Sequence, residues 1–361
     1  MNFAIFELPG YFADRHGSEG DYLRKAMDRL ASAEALGFDA IWINEHHFHP
    51  HGGLFSSLPV ILSALAQRTS RVRLGTSVMV LPLHSPIEVA EQLALVDLLS
   101  GGRLDVGVGR GVVKYDYDVM GVPFAEGQAR TIEALTVLLK AWSTRPFSHE
   151  GQFFHFTDVA IWPLPQQQPH PPIWFSATRT PESFATAGRL GLNLLTLAHL
   201  NPMADLAERV RLYRQSLVEA GHDPTQFRVG SHFHVLVTEH PAEARRLGQE
   251  ALERHLQRGV DSQAQAKDAP IRPEYRALVA SGHRVDIDTF IETGRVLIGT
   301  PDECVALARR IRDEVGLDSL NCTFSWGGLD DRTVERSLHL FASEVMPRAR
   351  GEMASRLPGL G

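Results

Sequence analysis

The chain has 361 residues, 43% of them hydrophobic and 22% charged, with a formal net charge of −7. That composition supports a large core. The mixed, net-acidic charge lacks the basic face that a phosphate backbone requires and any polybasic segment for a membrane surface.

The predicted elements alternate along the chain. Phe3 to Glu7 is a short strand, and Asp21 to Leu36 carries Leu23, Met27, Leu30, Ala31 and Leu36 near helical spacing before stopping at Gly37. Ala40 to Ile43 is apolar and β-branched. A helix runs from Ser56/Ser57 through Gln67, and Val72 to Leu81 is a strand. Pro86 opens the next helix, which Ser100-Gly101-Gly102 closes. Leu104 to Gly109 is a strand leading into a glycine-rich turn, and Ala129 to Trp142 is a helix. Phe147 to Pro172, aromatic and proline-rich, reads as an inserted hairpin before the strand Ile173-Trp174-Phe175. Helix Pro181 to Arg189, strand Leu192 to Leu197, helix Pro202 to Ala220 and strand Arg228 to Thr238 follow. Helices Pro301 to Glu314 and Thr333 to Ser343 bracket a strand from Ser319 to Phe324.

Such alternation implies parallel βαβ units, in a closed barrel or a doubly wound sheet. About eight strands favour the α/β (β/α)8 barrel. No linker divides the chain, so residues 1–361 read as one domain. The polar stretch from 242 to 295 is too long for a simple connection and reads as a lid insertion. Cys304 and Cys322 have no C-x-x-C spacing and fit a reducing compartment. Met1 to Glu7 lacks a signal-peptide pattern, and no stretch approaches the roughly 20 apolar residues of a membrane helix, so a cytoplasmic protein with a small-molecule partner is expected.

Three motifs can carry chemistry. Asn44-Glu45-His46-His47-Phe48-His49-Pro50-His51 follows a strand and so falls at the C-terminal mouth of a barrel, where active sites lie. Adjacent His46 and His47 project in different directions, and metal ligands normally follow helical or strand periodicity, so no metal is assigned. The plain alternative is a polar loop. Val106-Gly107-Val108-Gly109-Arg110-Gly111 lets backbone approach a ligand and sets an arginine beside it, as suits a phosphate. Its spacing does not fit a dinucleotide fingerprint, and a tight turn with a solvated arginine explains it equally well. Ser176-Ala177-Thr178-Arg179-Thr180-Pro181-Glu182-Ser183 offers hydroxyls and free amides at a helix start, although Thr180 before Pro181 is also an ordinary N-cap.

Taken in order, these pieces resemble the bacterial-luciferase-like flavin-dependent monooxygenases, most closely their alpha-subunit type. The resemblance rests on Leu36-Gly37-Phe38-Asp39-Ala40-Ile41-Trp42-Ile43-Asn44-Glu45-His46-His47-Phe48, Leu74 to Pro82, Leu99-Ser100-Gly101-Gly102-Arg103 and Gly109-Arg110-Gly111. Ile298 to Cys304 and Phe341 to Pro347 extend it to nearly the whole chain. It implies a barrel that binds reduced FMN (FMNH2), supplied by a separate NAD(P)H:flavin reductase, and uses O2 to form a flavin hydroperoxide that oxygenates a small organic substrate. His46 is then the active-site imidazole and His47 its neighbour. Gly109, Arg110 and Val112 form one phosphate corner; Thr178, Arg179 and Ser183 form the other. Ser77, Val78 and Met79 fall where the family carries a non-prolyl cis peptide beneath the flavin ring, and Leu195 and Leu197 line its side. Two departures, Ser325 for a glutamate and Gly109 for a cysteine, point to a non-luminescent enzyme. Phe12, Phe55, Phe124 and Trp326 are expected around the substrate, and a homodimer is implied. Two alternatives stay open: an F420-dependent hydride-transfer enzyme of the same fold, disfavoured by Glu45-His46-His47-Phe48, and a non-catalytic flavin-binding partner subunit, disfavoured by the presence of both His46 and Arg110.

Overall fold

In the computed structural model, which describes residues 1–266 and 284–351, eight parallel strands close into a barrel. β1 (Asn2–Glu7), β2 (Ala40–Ile43), β3 (Arg73–Val80) and β4 (Leu104–Gly109) are neighbours in chain order. β5 (Phe147–Glu150) and β6 (His155–Val159) form the inserted hairpin as a separate sheet, after which β7 (Ile173–Ser176) rejoins beside β4. β8 (Asn193–Leu197) and β9 (Val229–Val237) continue the ring. β10 (Leu297–Gly299) extends the far end of β9, and β11 (Ser319–Thr323) returns to β1. The closing registers are Leu195↔Gly230, Cys322↔Phe233 and Ile5↔Cys322. The expected barrel is therefore the observed one.

Local chemistry explains the element boundaries. The helix expected over 21–36 runs instead from Glu19 to Ser32, because the Ser18 side chain accepts from the Asp21 N–H and starts the helix earlier. Thr300 and Glu303 form a reciprocal capping box at the start of helix Pro301–Val315. Pro241–Ala264, inside the stretch expected to be a lid, is a 24-residue helix that buries Ala244, Gly248, Ala251, Leu252, His255 and Leu256. This part is barrel wall. Apart from Leu252 and Leu256, its buried face is made of small and polar residues, so the composition alone looks solvated. Residues 267–283 of the expected lid lie outside the described residues.

Inside the bore, Ala4, Phe6, Trp42, Trp174 and Leu195 form a cluster separate from the strand–helix core. Trp42 and Trp174 meet edge to face at 5.3 Å. A Cβ at Gly75 would lie 2.1 Å from the Trp42 ring, so glycine alone leaves room for that indole. The plug fills the bore and leaves the C-terminal mouth as the accessible end. On the opposite side, Arg103 donates to the carbonyls of Ala66, Thr69, Val72 and Ser100, tying together the turns that precede β3 and β4. The Ser100-Gly101-Gly102-Arg103 motif is thus structural. Among the described residues no helix is long and apolar enough to cross a membrane.

Candidate active site

A cavity of about 230 Å³ opens at the mouth, walled by the ends of β2, β3, β4, β7, β8 and β9. One end is cationic and rich in donors: Arg110, Thr178, Arg179, Thr180 and Ser183 line it, and helix Pro181–Arg189 points its N-terminus there. Arg110 is held from two sides. Its carbonyl accepts from the Tyr117 hydroxyl, and its guanidinium lies 5.0 Å over the Phe124 ring. Burial pushes the Tyr117 phenol up to about 12, so it stays a donor at neutral pH.

At the other end stands His46, its Nδ1 3.9 Å from Asp116 Oδ2. The second Asp116 oxygen is buried with no hydrogen-bond partner. Gly52, at φ +91°, folds the following loop against this imidazole; a Cβ there would lie 2.5 Å from His46 Cδ2. Beneath the loop, the buried Glu45 carboxylate accepts from His47 Nε2 at 2.7 Å, His84 Nε2 at 2.6 Å and the Val80 N–H at 2.9 Å. Burial raises the Glu45 pKa, but these three donors outweigh it and hold the carboxyl at about 2. The hydrogen bond to Glu45 in turn raises His47, against its burial. Among the described residues Glu45, His47 and His84 also form the one group spaced to hold a metal ion. Their ligand atoms are engaged with one another, which accounts for the grouping without an ion.

On the third wall, Ser77 Oγ lies 2.7 Å from His232 Nε2, and the His232 ring packs at a tilt against Phe6, their centroids 4.0 Å apart. Burial lowers His232 to about 3, so the ring is neutral. The peptide bond Ser77–Val78 is cis, as the resemblance implied.

His46, Ser77, Val78, Gly109, Arg110, Val112, Thr178, Arg179 and Ser183 all line this one cavity, as does Leu197. Three expected residues do not. His47 turns away to Glu45. Met79 packs into the strand–helix core, because the bulge in β3 between Thr76 and Met79 turns it outward. Leu195 belongs to the plug in the bore, one pleat below Leu197. Of the aromatics expected near substrate, Phe55 is fully buried in the core, Phe124 supports Arg110, Phe12 lies under Arg258, and Trp326 packs on His234. Sequence reasoning missed Asp116, His84 and His232. Only His232 left a signal, since His232 and His234 share one strand face.

Three relatives set this site in context. An uncharacterised protein y4vJ of Sinorhizobium fredii is 36% identical over 55% of this chain, and the chain spans about half of its length, 56%. Limonene 1,2-monooxygenase of Rhodococcus erythropolis is 28% identical over 99% of this chain and 89% of its own. The oxygenase component of the flavin-dependent trigonelline monooxygenase of Acinetobacter baylyi is 36% identical over 55% of each chain. Among solved structures, monooxygenase RslO1 of Streptomyces bottropensis superposes with a TM-score of 0.84 at 30% identity, over 96% of this chain and 99% of that one. The oxygenating constituent of 3,6-diketocamphane monooxygenase of Pseudomonas putida, solved with FMN, shares the fold at 0.77 and 20% identity, over 96% and 98%. An F420-dependent secondary alcohol dehydrogenase shares it at 0.75 and 21%, over 97% and 99%. Barrel and mouth cavity define the class of fold, a (β/α)8 barrel with its candidate site at the C-terminal ends of the strands. The chain belongs to the luciferase-like monooxygenase family, whose profile matches residues 1–319.

Proposed function

We propose that this chain is the oxygenase component of a two-component system, taking reduced FMN from a separate NAD(P)H-dependent flavin reductase and oxygenating a small organic substrate with O2. One observation carries the proposal: the anion corner of Arg110, Thr178, Arg179 and Ser183 shares a single cavity with His46. Two guanidinium groups, hydroxyls and helix-start amides suit a phosphate. A Cβ at Gly109 would lie 2.7 Å from Val78 Cγ2, so glycine keeps that wall flat, as a planar ring requires.

Reduced FMN supplies the electrons that activate O2; the chain supplies binding, orientation and protons. Tyr117 and Phe124 fix the arginine that would grip the phosphate. His46, beside the Asp116 carboxylate, stands where a proton can move to or from the reacting oxygen. Glu45, His47 and His84 anchor the loop that carries His46, and the Trp42–Trp174 plug keeps water from entering along the bore. We further propose a homodimer. Val60, Leu95, Leu98 and Leu99 are exposed on the packed helices Leu58–Ala66 and Pro86–Leu99, and light scattering tests whether a second copy covers them.

Stopped-flow mixing of the chain with reduced FMN and oxygenated buffer decides the flavin chemistry. A long-lived near-ultraviolet species is expected, and His46→Ala should shorten its life and lower product yield. Absence of that species together with tight F420 binding would establish hydride transfer in its place. Full product yield from His46→Ala would remove His46 from the mechanism.

A further inference from the structure

Between the cavity and the plug in the bore stands a pair of side chains that neither His46 nor the anion corner uses. Ser77 from β3 and His232 from β9 both line the cavity, with Ser77 Oγ 2.7 Å from His232 Nε2. Phe6 of the plug packs against the His232 ring, and the other ring nitrogen, Nδ1, is buried with no hydrogen-bond partner. Burial keeps the ring neutral, so it holds one N–H and one lone pair.

The partners decide which nitrogen carries the proton. On Nδ1 it would be a buried N–H with nothing to receive it, a defect that folded proteins avoid more strictly than an idle lone pair. On Nε2 it is donated to Ser77 Oγ. The serine then keeps its own hydroxyl proton for a second acceptor, and the surrounding protein supplies none. Among the described residues the Ser77 hydroxyl bonds to His232 alone. Asn44 also lines the cavity and follows Ile43, which pairs with Thr76 on β3. Its Oδ1 is buried and unpartnered, so it does not take the proton either.

We propose that His232 holds Ser77 as a hydrogen-bond donor facing the cavity, and that this donor receives a carbonyl oxygen of the bound ligand. A carbonyl oxygen accepts and brings no proton that needs an acceptor of its own, whereas a hydrocarbon face would strand the hydroxyl. The inference rests on the oxygenase function proposed above, which offers two sources of such a group: the carbonyls of the FMN ring, and a ketone or aldehyde substrate. Ser77 is the residue that touches the ligand. His232 is a positioning residue that acts through it.

Carbon-13 NMR of the purified chain tests this with two probes: FMN labelled at its ring carbonyls, and cyclohexanone labelled at its carbonyl, added with and without FMN. A hydrogen bond draws electron density from a carbonyl carbon and moves its resonance downfield. At least one probe should show that shift on binding, and the probe that does so identifies the source. Ser77→Ala should abolish the shift and weaken that probe about three- to tenfold, the worth of one neutral hydrogen bond. His232→Phe should match Ser77→Ala, and the double variant should be no weaker than either alone. His232→Gln, which still sets an N–H against Ser77, should restore affinity to within about twofold. Nitrogen-15 shifts of the His232 ring should place the proton on Nε2. A proton on Nδ1, or a failure of Ser77→Ala to move a carbonyl resonance of either probe, would overturn the proposal. Should Ser77→Ala fail to fold, the ring nitrogens and the bound-against-free carbonyl shifts of the unaltered chain decide, and an unshifted carbonyl in both probes overturns it. FMN affinity is read separately by flavin fluorescence. A chain that takes up no FMN counts against the oxygenase function, while the His232 tautomer and the cyclohexanone titration still judge Ser77.

Discussion

Acidification should destabilise this protein well above the range where carboxylates titrate, because it must protonate imidazoles that the fold keeps neutral. Burial lowers His199, His234 and His255 well below the ordinary 6.5, helped by neighbouring imidazoles and, at His199, by Arg295; burial alone lowers His232 to about 3. In the unfolded chain these groups recover their ordinary value and bind more protons than the fold does. Their contribution to stability is therefore fully present above about pH 6.5 and is lost as pH falls toward the folded values. From about pH 7.5 to about pH 5.5 each gives up roughly 1.4 kcal/mol, so the four together give up roughly 5 kcal/mol. His47 has the opposite sign. Its hydrogen bond to Glu45 raises its pKa, so its contribution is present below 6.5 and fades as pH rises, which offsets part of the loss without reversing it. Urea unfolding followed by circular dichroism at the two pH values measures the difference. His255→Leu should flatten it by about 1.4 kcal/mol. Equal stability at both pH values, or greater stability at the lower one, would refute the assignment of these histidines as buried and neutral.

Other substitutions probe separate parts of the site. Arg110→Met should weaken FMN binding about 10- to 100-fold, the worth of a hydrogen bond to a charged group, with little change in apoprotein stability; an unaltered Kd by fluorescence titration would place the phosphate elsewhere. Glu45→Gln removes the buried charge to which His47 and His84 donate, and should cost about 2–3 kcal/mol and lower the His47 titration midpoint. A midpoint unmoved by NMR would deny Glu45 that role. Gly75→Ala drives a methyl into the Trp42 ring and should destabilise by about 1–3 kcal/mol, measured by the shift in urea midpoint at constant m-value; neutrality would mean that the plug can relax.

Much of the site was legible because barrel active sites sit where strands end, and strand ends can be found locally. The runs Ala40–Ile43 and Leu104–Gly109 carry their loops, with His46 and Arg110, to the mouth whatever the surrounding sequence. Asp116 was hidden because helix Lys114–Met120 is short and has no apolar stripe to announce it. His84 was hidden because its partner, Glu45, lies 39 positions away. The helix Pro241–Ala264 was obscured because alanine, glycine and histidine pack closely without raising the hydrophobic signal.

By itself the sequence determined the barrel, the strands that end at its mouth, and the phosphate-suited corners, since all three follow from short-range periodicity and from glycine, proline and hydroxyl residues acting on their own backbone. Only the tertiary structure decided which side chains face the cavity. Met79 is turned outward by a bulge, Leu195 is set one pleat too deep, and His47 is captured by Glu45. Closure of the ring brings His232 to Ser77 across 155 positions and gathers His51, His199, His234 and His255 beside them. Side-chain direction depends on register, and register in a barrel is fixed only when the last strand meets the first.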